Sequence, residues 1–118
     1  MKMKFHDAGG YKIAERFADE VIINKTQDAL DIMADADYNG ARNIILYEKN
    51  INPDFFKLST GLAGEILQKF VNYKVKLAIV GDFSKYTSKP LQDFIRECNR
   101  ANEIFFSPDL SSVLNKFK

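Results

Sequence analysis

The residues best suited to chemistry are two hydroxyls and a glycine, Ser59, Thr60 and Gly61, where a helix is expected to begin. A Ser or Thr at that boundary can accept hydrogen bonds from the unpaired N–H groups of the first helical turn. The same N–H groups, with the positive end of the helix dipole, can hold an anion. Two interpretations therefore stay open: a helix cap, or a phosphate acceptor or anion site.

A second polar group follows the strongest predicted strand, residues 75–80, and consists of Asp82, Ser84, Lys85 and Ser88. Lys85 can meet a phosphate or a carboxylate, and Ser88 at a helix N-terminus can complete an anion nest. The alternative is a solvated loop in which Asp82 makes a turn and Ser88 caps the next helix. The segment is a candidate ligand loop.

Two residue pairs are candidates for a surface that binds another protein. Phe55 and Phe56 precede the Ser59–Gly61 segment, and we expect one ring to be packed and the other exposed. Arg96 and Arg100 share one face of the predicted third helix and can receive an acidic partner. The alternative for the arginines is a solvated helix face, where charged pairs contribute little.

The single histidine and the single cysteine, His6 and Cys98, suggest no catalytic role. His6 has no evident nucleophile or carboxylate partner in the sequence, whereas a triad needs a base held against a nucleophile. Cys98 lies on an apolar helical stripe, which predicts a buried thiol, and it has no second cysteine to pair with. Glycine-rich phosphate loops and metal-ligand spacings are missing. We expect no catalytic residue, metal or cofactor, and favour a protein that is not an enzyme.

Composition is typical of one globular domain over residues 1–118, with 46% apolar and 28% charged residues. The interleaved charges, with a formal sum of +1, argue against nucleic acid or an anionic membrane as partner. The N-terminus lacks the apolar core of a signal peptide, and no run reaches the length of a membrane span. We expect a cytoplasmic protein, monomeric or homodimeric, that binds another protein.

Hydrophobic patterns predict the elements that position these residues. The order is two strands and then helix, strand, helix, strand, helix, strand, helix, with an opening β-hairpin whose turn lies in Asp7–Gly10. The continuous apolar runs Ile44–Leu46 and Leu77–Val80 are typical of neighbouring central strands buried on both faces. The prediction is a single α/β domain with a mixed, mainly parallel sheet and four helices.

Capping signals and apolar stripes predict the helices in more detail. Thr26 is the expected N-cap of the first helix, and the second helix should run from Ser59 or Thr60 to about Tyr73. Ser88 should cap the third helix, with Pro90 in its first turn. On that helix Phe94, Ile95 and Cys98 should face the sheet while Arg96 and Glu97 face water.

The predicted topology places four segments at one edge of the sheet, because ligands and loops gather beyond the carboxyl ends of parallel strands. These segments are the loops 47–52, 81–88 and 107–109 and the helix start at residues 59–61. A concave pocket where the Ser59–Gly61 helix start and the loop of Asp82, Lys85 and Ser88 converge would favour a small-anion or nucleotide-binding module, possibly enzymatic, that uses these residues. A flat edge with an exposed Phe would favour a protein partner.

The order of elements and the segment Leu58–Gly64 resemble the STAS domain, the fold of bacterial anti-sigma-factor antagonists. In that family an Asp-Ser-Ser/Thr-Gly-Leu-Gly turn opens the second helix, and the phosphorylated hydroxyl directly precedes the glycine. That position is Thr60 here, while Leu58 replaces the aspartate and one extra residue separates Leu62 from Gly64. The resemblance implies a regulatory or protein-binding domain that phosphorylation of Thr60 would switch.

A second resemblance covers nearly the whole chain. Residues 54–70 and 76–83 are similar to an uncharacterised bacterial family, domain of unknown function 4180. Ser88-Lys89, Asp93–Ile95, Glu97 and Asn99-Arg100 fit the same pattern. The resemblance implies a bacterial protein and carries no activity with it.

Overall fold

The chain begins with a hairpin whose turn consists of two glycines. In the computed structural model, which describes residues 2–117 and the side chains of 3–117, strand β1 (Lys2–Ala8) pairs antiparallel with β2 (Tyr11–Phe17). Gly9 and Gly10 have φ angles of 59° and 86°, which a tight two-residue turn requires and glycine adopts without steric cost. Met1 and Lys118, the ends of the predicted domain, lie outside the described residues.

Three further strands and four helices follow within residues 2–117. They are α1 (Thr26–Tyr38), β3 (Asn43–Tyr47), α2 (Leu62–Asn72), β4 (Lys76–Val80), α3 (Lys89–Ala101), β5 (Ile104–Ser107) and α4 (Leu110–Lys116). The strands form one sheet in the order β1-β2-β3-β4-β5, and every pair after the hairpin is parallel. The predicted single α/β domain with a mixed, mainly parallel sheet is confirmed.

The two apolar runs are the central strands that the sequence predicts. Ile44 pairs with Leu77 where β3 lies beside β4, and both runs are buried throughout. Each crossover after β2 adds the next strand at the same edge of the sheet. Right-handed connections therefore place α1, α2 and α3 on one face of the sheet. Their apolar residues form the larger core with that face, while α4 packs on the opposite face through Val113, and Phe117 directly after the helix packs there too.

Two of the predicted helix starts can be compared directly with the structure. Thr26 is not the N-cap, because α1 begins at Thr26 itself. The carboxylate of Asp28 accepts instead from the N–H groups of Asn24 (2.9 Å) and Lys25 (3.3 Å). Ser88 does cap α3, since its Oγ accepts from the N–H of Leu91 at 3.3 Å.

None of the helices described within residues 2–117 combines the length and the apolar character of a membrane-spanning helix.

The orientation predicted for the third helix is confirmed. Ile95 is buried, and Phe94 and Cys98 are partly buried against the larger core. Arg96 and Glu97 are exposed. The apolar stripe on α3 therefore identifies the side of the helix that packs on the sheet.

Candidate functional site

A cleft of about 650 Å³ opens at the carboxyl ends of β2 and β3. Residues 16–20 with Ile22 form one wall, and Tyr47, Lys49 and Asn50 form the other. Open α/β sheets bind ligands at this edge, beyond the ends of the parallel strands. We call this feature the β2–β3 cleft.

Buried Asn50 holds the two walls of the β2–β3 cleft together. Its side-chain Nδ2 donates to the carbonyl oxygens of Ala18 and Glu20, both at 2.8 Å. The backbone carbonyl oxygen of Asn50 accepts from the N–H groups of Ile22 (2.8 Å) and Ile23 (3.1 Å). Only 1% of Asn50 is exposed, so the segment after β2 is fixed by a residue that follows β3.

An aromatic pair and a buried carboxylate lie next to the cleft. The rings of Phe17 and Tyr47 are nearly parallel, with centroids 6.2 Å apart and an interplanar angle of 24°. The Tyr47 hydroxyl donates to Glu15, and the other carboxylate oxygen of Glu15 lies 2.6 Å from Nε2 of His6. Glu15 is 2% exposed. One buried carboxylate is thus shared by a tyrosine and a histidine.

The expectation that His6 lacks a carboxylate partner is wrong, and the hairpin register gives the reason. With a turn of only Gly9 and Gly10, His6 pairs directly with Ile13. Glu15 is two residues further along β2 and so is the diagonal neighbour of His6 on the same face. This contact joins two strands, so it becomes visible only once the register of the hairpin is known.

Burial and the carboxylate together change the acidity of Tyr47. Desolvation, and then the hydrogen bond to Glu15, raise its pKa well above the ordinary tyrosine value. A raised folded-state pKa means that the contact stabilises the fold fully below about pH 10 and that this stabilisation is lost as the pH rises further. Ultraviolet titrations of the parent protein and Tyr47→Phe should differ only well above pH 10. A difference already at about pH 10 would contradict the buried pair.

A second tyrosine–carboxylate pair joins the loops after β3 and β4. Glu48 accepts from the hydroxyl of Tyr86 and lies 2.8 Å from Nζ of Lys85. A cavity of about 240 Å³ adjoins this group and is lined in part by Phe56, Lys85 and Tyr86. The predicted convergence of loops 47–52 and 81–88 is therefore observed, and Lys85 is the candidate ligand residue that reaches a cavity.

Gly81 is required where the chain leaves β4, because Glu48 approaches it closely. A Cβ built on Gly81 would lie 2.6 Å from Cβ of Glu48, whereas one on Gly64 in α2 meets nothing within 4 Å. Gly81→Ala should therefore lower the free energy of unfolding by about 1–3 kcal/mol, as overpacking does. The control Gly64→Ala should raise it by about 0.5–1 kcal/mol. Denaturant unfolding measures both, and equal effects would contradict the close approach.

The remaining residues of the candidate ligand loop contact their own backbone. The Asp82 carboxylate accepts from the N–H of Ser84 (3.1 Å) and from its hydroxyl (2.5 Å). These bonds hold the pKa of Asp82 below its usual value. With Ser88 at the start of α3, the loop has the contacts expected for a turn followed by a cap.

The segment Ser59–Gly61 precedes α2 rather than opening it. Residues 58–60 form a separate 3-10 turn, and Gly61 (φ 80°) separates that turn from the helix, which begins at Leu62. The predicted helix start at Ser59 or Thr60 is therefore wrong by two or three residues. The left-handed conformation of Gly61 interrupts the helical path between turn and helix.

The Thr60 hydroxyl is exposed and bonded to backbone. The one hydrogen of Oγ1 has two acceptors within reach, the carbonyl oxygens of Asp54 (2.7 Å) and Lys57 (2.9 Å), and Oγ1 accepts from the N–H of Leu62 at 3.3 Å. Ser59 beside it is also exposed. The β2–β3 cleft and the smaller cavity are both lined by other residues, and neither is lined by Ser59, Thr60 or Gly61.

The expectation that one ring of Phe55-Phe56 is exposed is wrong. Phe55 is 2% exposed and Phe56 is 5% exposed. The Phe56 ring lies 5.2 Å from that of Tyr86 and 5.9 Å from that of Phe83, measured between centroids. The 3-10 turn Pro53–Phe56 packs both rings into the larger core, so they offer no surface to a partner.

The arginines of the candidate partner surface are exposed and paired within α3. Nη1 of Arg96 lies 2.9 Å from Asp93, and Nη1 of Arg100 lies 3.0 Å from Glu97. All four side chains are substantially exposed. Such pairs are typical of a solvated helix face.

Comparison with known proteins adds a family assignment. The sequence model described as Domain of unknown function (DUF4180) matches residues 8–117, which is nearly the whole chain. The protein belongs to the DUF4180 family. Comparisons with curated proteins and with solved structures found no match. The span shared with the DUF4180 family contains the β2–β3 cleft and Glu15, whereas His6 lies just before it.

Two observations concern the metal-ligating residue types and the cysteine of this DUF4180 domain. Within residues 2–117, no three His, Cys, Asp or Glu side chains come together as metal ligands. Burial, and then the nearby Glu97, raise the pKa of Cys98 to about 11. A thiol with that pKa is almost entirely protonated at neutral pH and is a weak nucleophile.

Proposed function

We propose that this DUF4180 domain is a binding domain that takes a small molecule in the β2–β3 cleft. The observation that carries the proposal is a concave site at the carboxyl edge, with one wall fixed by buried Asn50. Ligand sites are typically concave and largely formed before the ligand arrives. The alternative, a protein partner held by the Phe55-Phe56 loop, is disfavoured because both of these rings are buried.

The rings that flank the cleft support the same function. Phe17 is 36% exposed and lies against Tyr47, whose hydroxyl is already held by Glu15. The pair presents a rigid apolar surface beside backbone carbonyls and charged side chains. Aromatic walls with a few placed polar groups are the usual lining of small-molecule sites.

A fragment screen read by amide chemical shifts tests this proposal. Ligands of the cleft should shift the amide signals of residues 16–20 and 47–50 and leave those of α2 unchanged. Phe17→Ala should weaken the best fragment by about tenfold, as loss of a stacking ring does. The control Val71→Ala removes a similarly exposed apolar side chain on α2 and should change nothing. Fragments that shift only residues elsewhere would contradict the proposal.

A second candidate function is a STAS-type regulatory domain of a bacterial, cytoplasmic protein, acting on another protein as a monomer or homodimer. The observation that favours it is the exposure of both Ser59 and Thr60. Phosphorylation of Thr60 would add a charge of about −1.5 to −2 just before α2, where the helix dipole stabilises it. The working surface would then be Ser59, Thr60 and the exposed side of α2.

Substitution of Thr60 tests the second candidate. Thr60→Asp should cost about 1 kcal/mol of stability, because the bonds of Oγ1 to Asp54 and Lys57 are lost, and it should leave the fold intact. Binding to the native partner, identified by pull-down with phosphosite mapping, should fall at least about tenfold, or about 1.4 kcal/mol. Thr60→Val, which removes the hydroxyl without adding charge, is the control. Equal binding by both variants would leave only a structural role for Thr60.

A further inference from the structure

We infer that the ligand of the β2–β3 cleft is a neutral, planar heteroaromatic compound that carries an N–H donor, as nucleosides do. This inference rests on the proposed function and specifies the chemical class of its ligand. Three properties of the cleft support it: an acceptor that lacks a donor, a flat aromatic surface, and balanced charge.

The acceptor is Oδ1 of Asn50. Both hydrogens of Nδ2 have acceptors, the carbonyl oxygens of Ala18 and Glu20, and this fixes which way the carboxamide points. Oδ1 is buried and, among the described residues, has no hydrogen-bond partner. A buried oxygen of this kind needs a donor. Because Asn50 lines the cleft and Oδ1 is enclosed beside it, a ligand N–H group would reach this oxygen through a small shift of the adjoining wall.

The flat surface is the partly exposed ring of Phe17, which stacks on Tyr47. Their rings are within 24° of parallel, and both side chains line the cleft. Aromatic side chains bind flat heterocycles by stacking, and nucleic-acid bases are the common case. The surface therefore suits a planar ring rather than a branched or flexible compound.

The charges that line the cleft balance one another. Arg16 and Lys49 are basic, and Asp19 and Glu20 are acidic. The buried guanidinium of Arg16 also donates to the carbonyl oxygen of Phe17. A site with no excess of positive charge lacks the basic character that phosphate groups require, so a nucleoside suits it better than a nucleotide.

Matched nucleosides test the inference on the full chain by amide chemical-shift titration. The probes are uridine with 3-methyluridine and adenosine with N6,N6-dimethyladenosine, since methylation removes base N–H donors and keeps the ring. At least one parent nucleoside should shift residues 16–20 and 47–50, and its methylated partner should bind at least about tenfold more weakly. Uridine 5′-monophosphate should bind no more tightly than uridine.

The outcomes separate this inference from the proposed function. Equal affinity of a parent nucleoside and its methylated partner would overturn the role of the donor and of Asn50 Oδ1. Library fragments that bind the cleft while all four nucleosides fail would overturn the ligand class and leave the proposed function standing. If no compound of any kind shifts residues 16–20 and 47–50, both fail. Weakened nucleoside binding in Phe17→Ala, with Val71→Ala unchanged, would support the stacking surface.

Discussion

The Phe70→Ala variant should lose about 3–5 kcal/mol of its free energy of unfolding. Phe70 is 0% exposed near the end of α2 and belongs to the larger core between the helices and the sheet. Truncation removes the transfer free energy of the ring and leaves a cavity that close-packed neighbours fill only partly. Denaturant unfolding with an unchanged slope measures the loss.

Phe94→Ala is the matched control on α3. The stripe on the third helix by itself predicts the same loss of about 3–5 kcal/mol for Phe94→Ala, with under about 1 kcal/mol indicating the wrong face. The structure lowers the expected loss for Phe94→Ala to about 2 kcal/mol. A partly buried ring removes less apolar surface from water on folding than a fully buried one, so its truncation costs less. Phe94 keeps one edge contact, its centroid 6.4 Å from that of Phe106. Equal losses for Phe70→Ala and Phe94→Ala would contradict their difference in burial.

Glu15→Ala should lower the free energy of unfolding by about 3 kcal/mol. Glu15 accepts from the Tyr47 hydroxyl and lies 2.6 Å from Nε2 of His6. Removing the carboxylate leaves a buried hydroxyl without its acceptor, and a hydrogen bond to a charged group is among the stronger ones. The loss is measured by denaturant unfolding at neutral pH.

Two further variants distinguish the effect of the buried carboxylate from the effects of side-chain shape and of position. Glu15→Gln keeps the shape and one acceptor oxygen, so it should lose only about 1 kcal/mol. Glu65→Ala, at an exposed position on α2, should stay within about 0.5 kcal/mol of the parent protein. A loss in Glu15→Ala as small as that in Glu65→Ala would mean that the buried cluster does not stabilise the fold.

The glycine pair, the two apolar runs and the Ser88 cap were all predictable, because each depends on residues close together in the chain. Gly9 and Gly10 supply positive φ angles, and Ile44–Leu46 and Leu77–Val80 are apolar on both faces. Ser88 reaches an N–H only three residues away. The sequence by itself therefore determined the order of the elements and the parallel core of the sheet.

The start of α2 and the contact between His6 and Glu15 depended on backbone geometry that residue types alone do not reveal. The left-handed Gly61 moved the start of α2 to Leu62, beyond Ser59 and Thr60. The register of the hairpin pairs His6 with Ile13 and so brings His6 beside Glu15. Small changes in register decide which side chains meet, because successive residues of a strand point to opposite faces.

Only the tertiary structure decided the cleft and the buried carboxylate. Glu15 and Tyr47 are 32 residues apart in the chain, and Asn50 reaches the segment after β2 only because β2 and β3 are adjacent. The burial of both Phe55 and Phe56 likewise requires the loop after β4, where Phe83 and Tyr86 lie. Periodicity encodes which face of an element is apolar, whereas these contacts form where separate loops meet at one edge of the sheet.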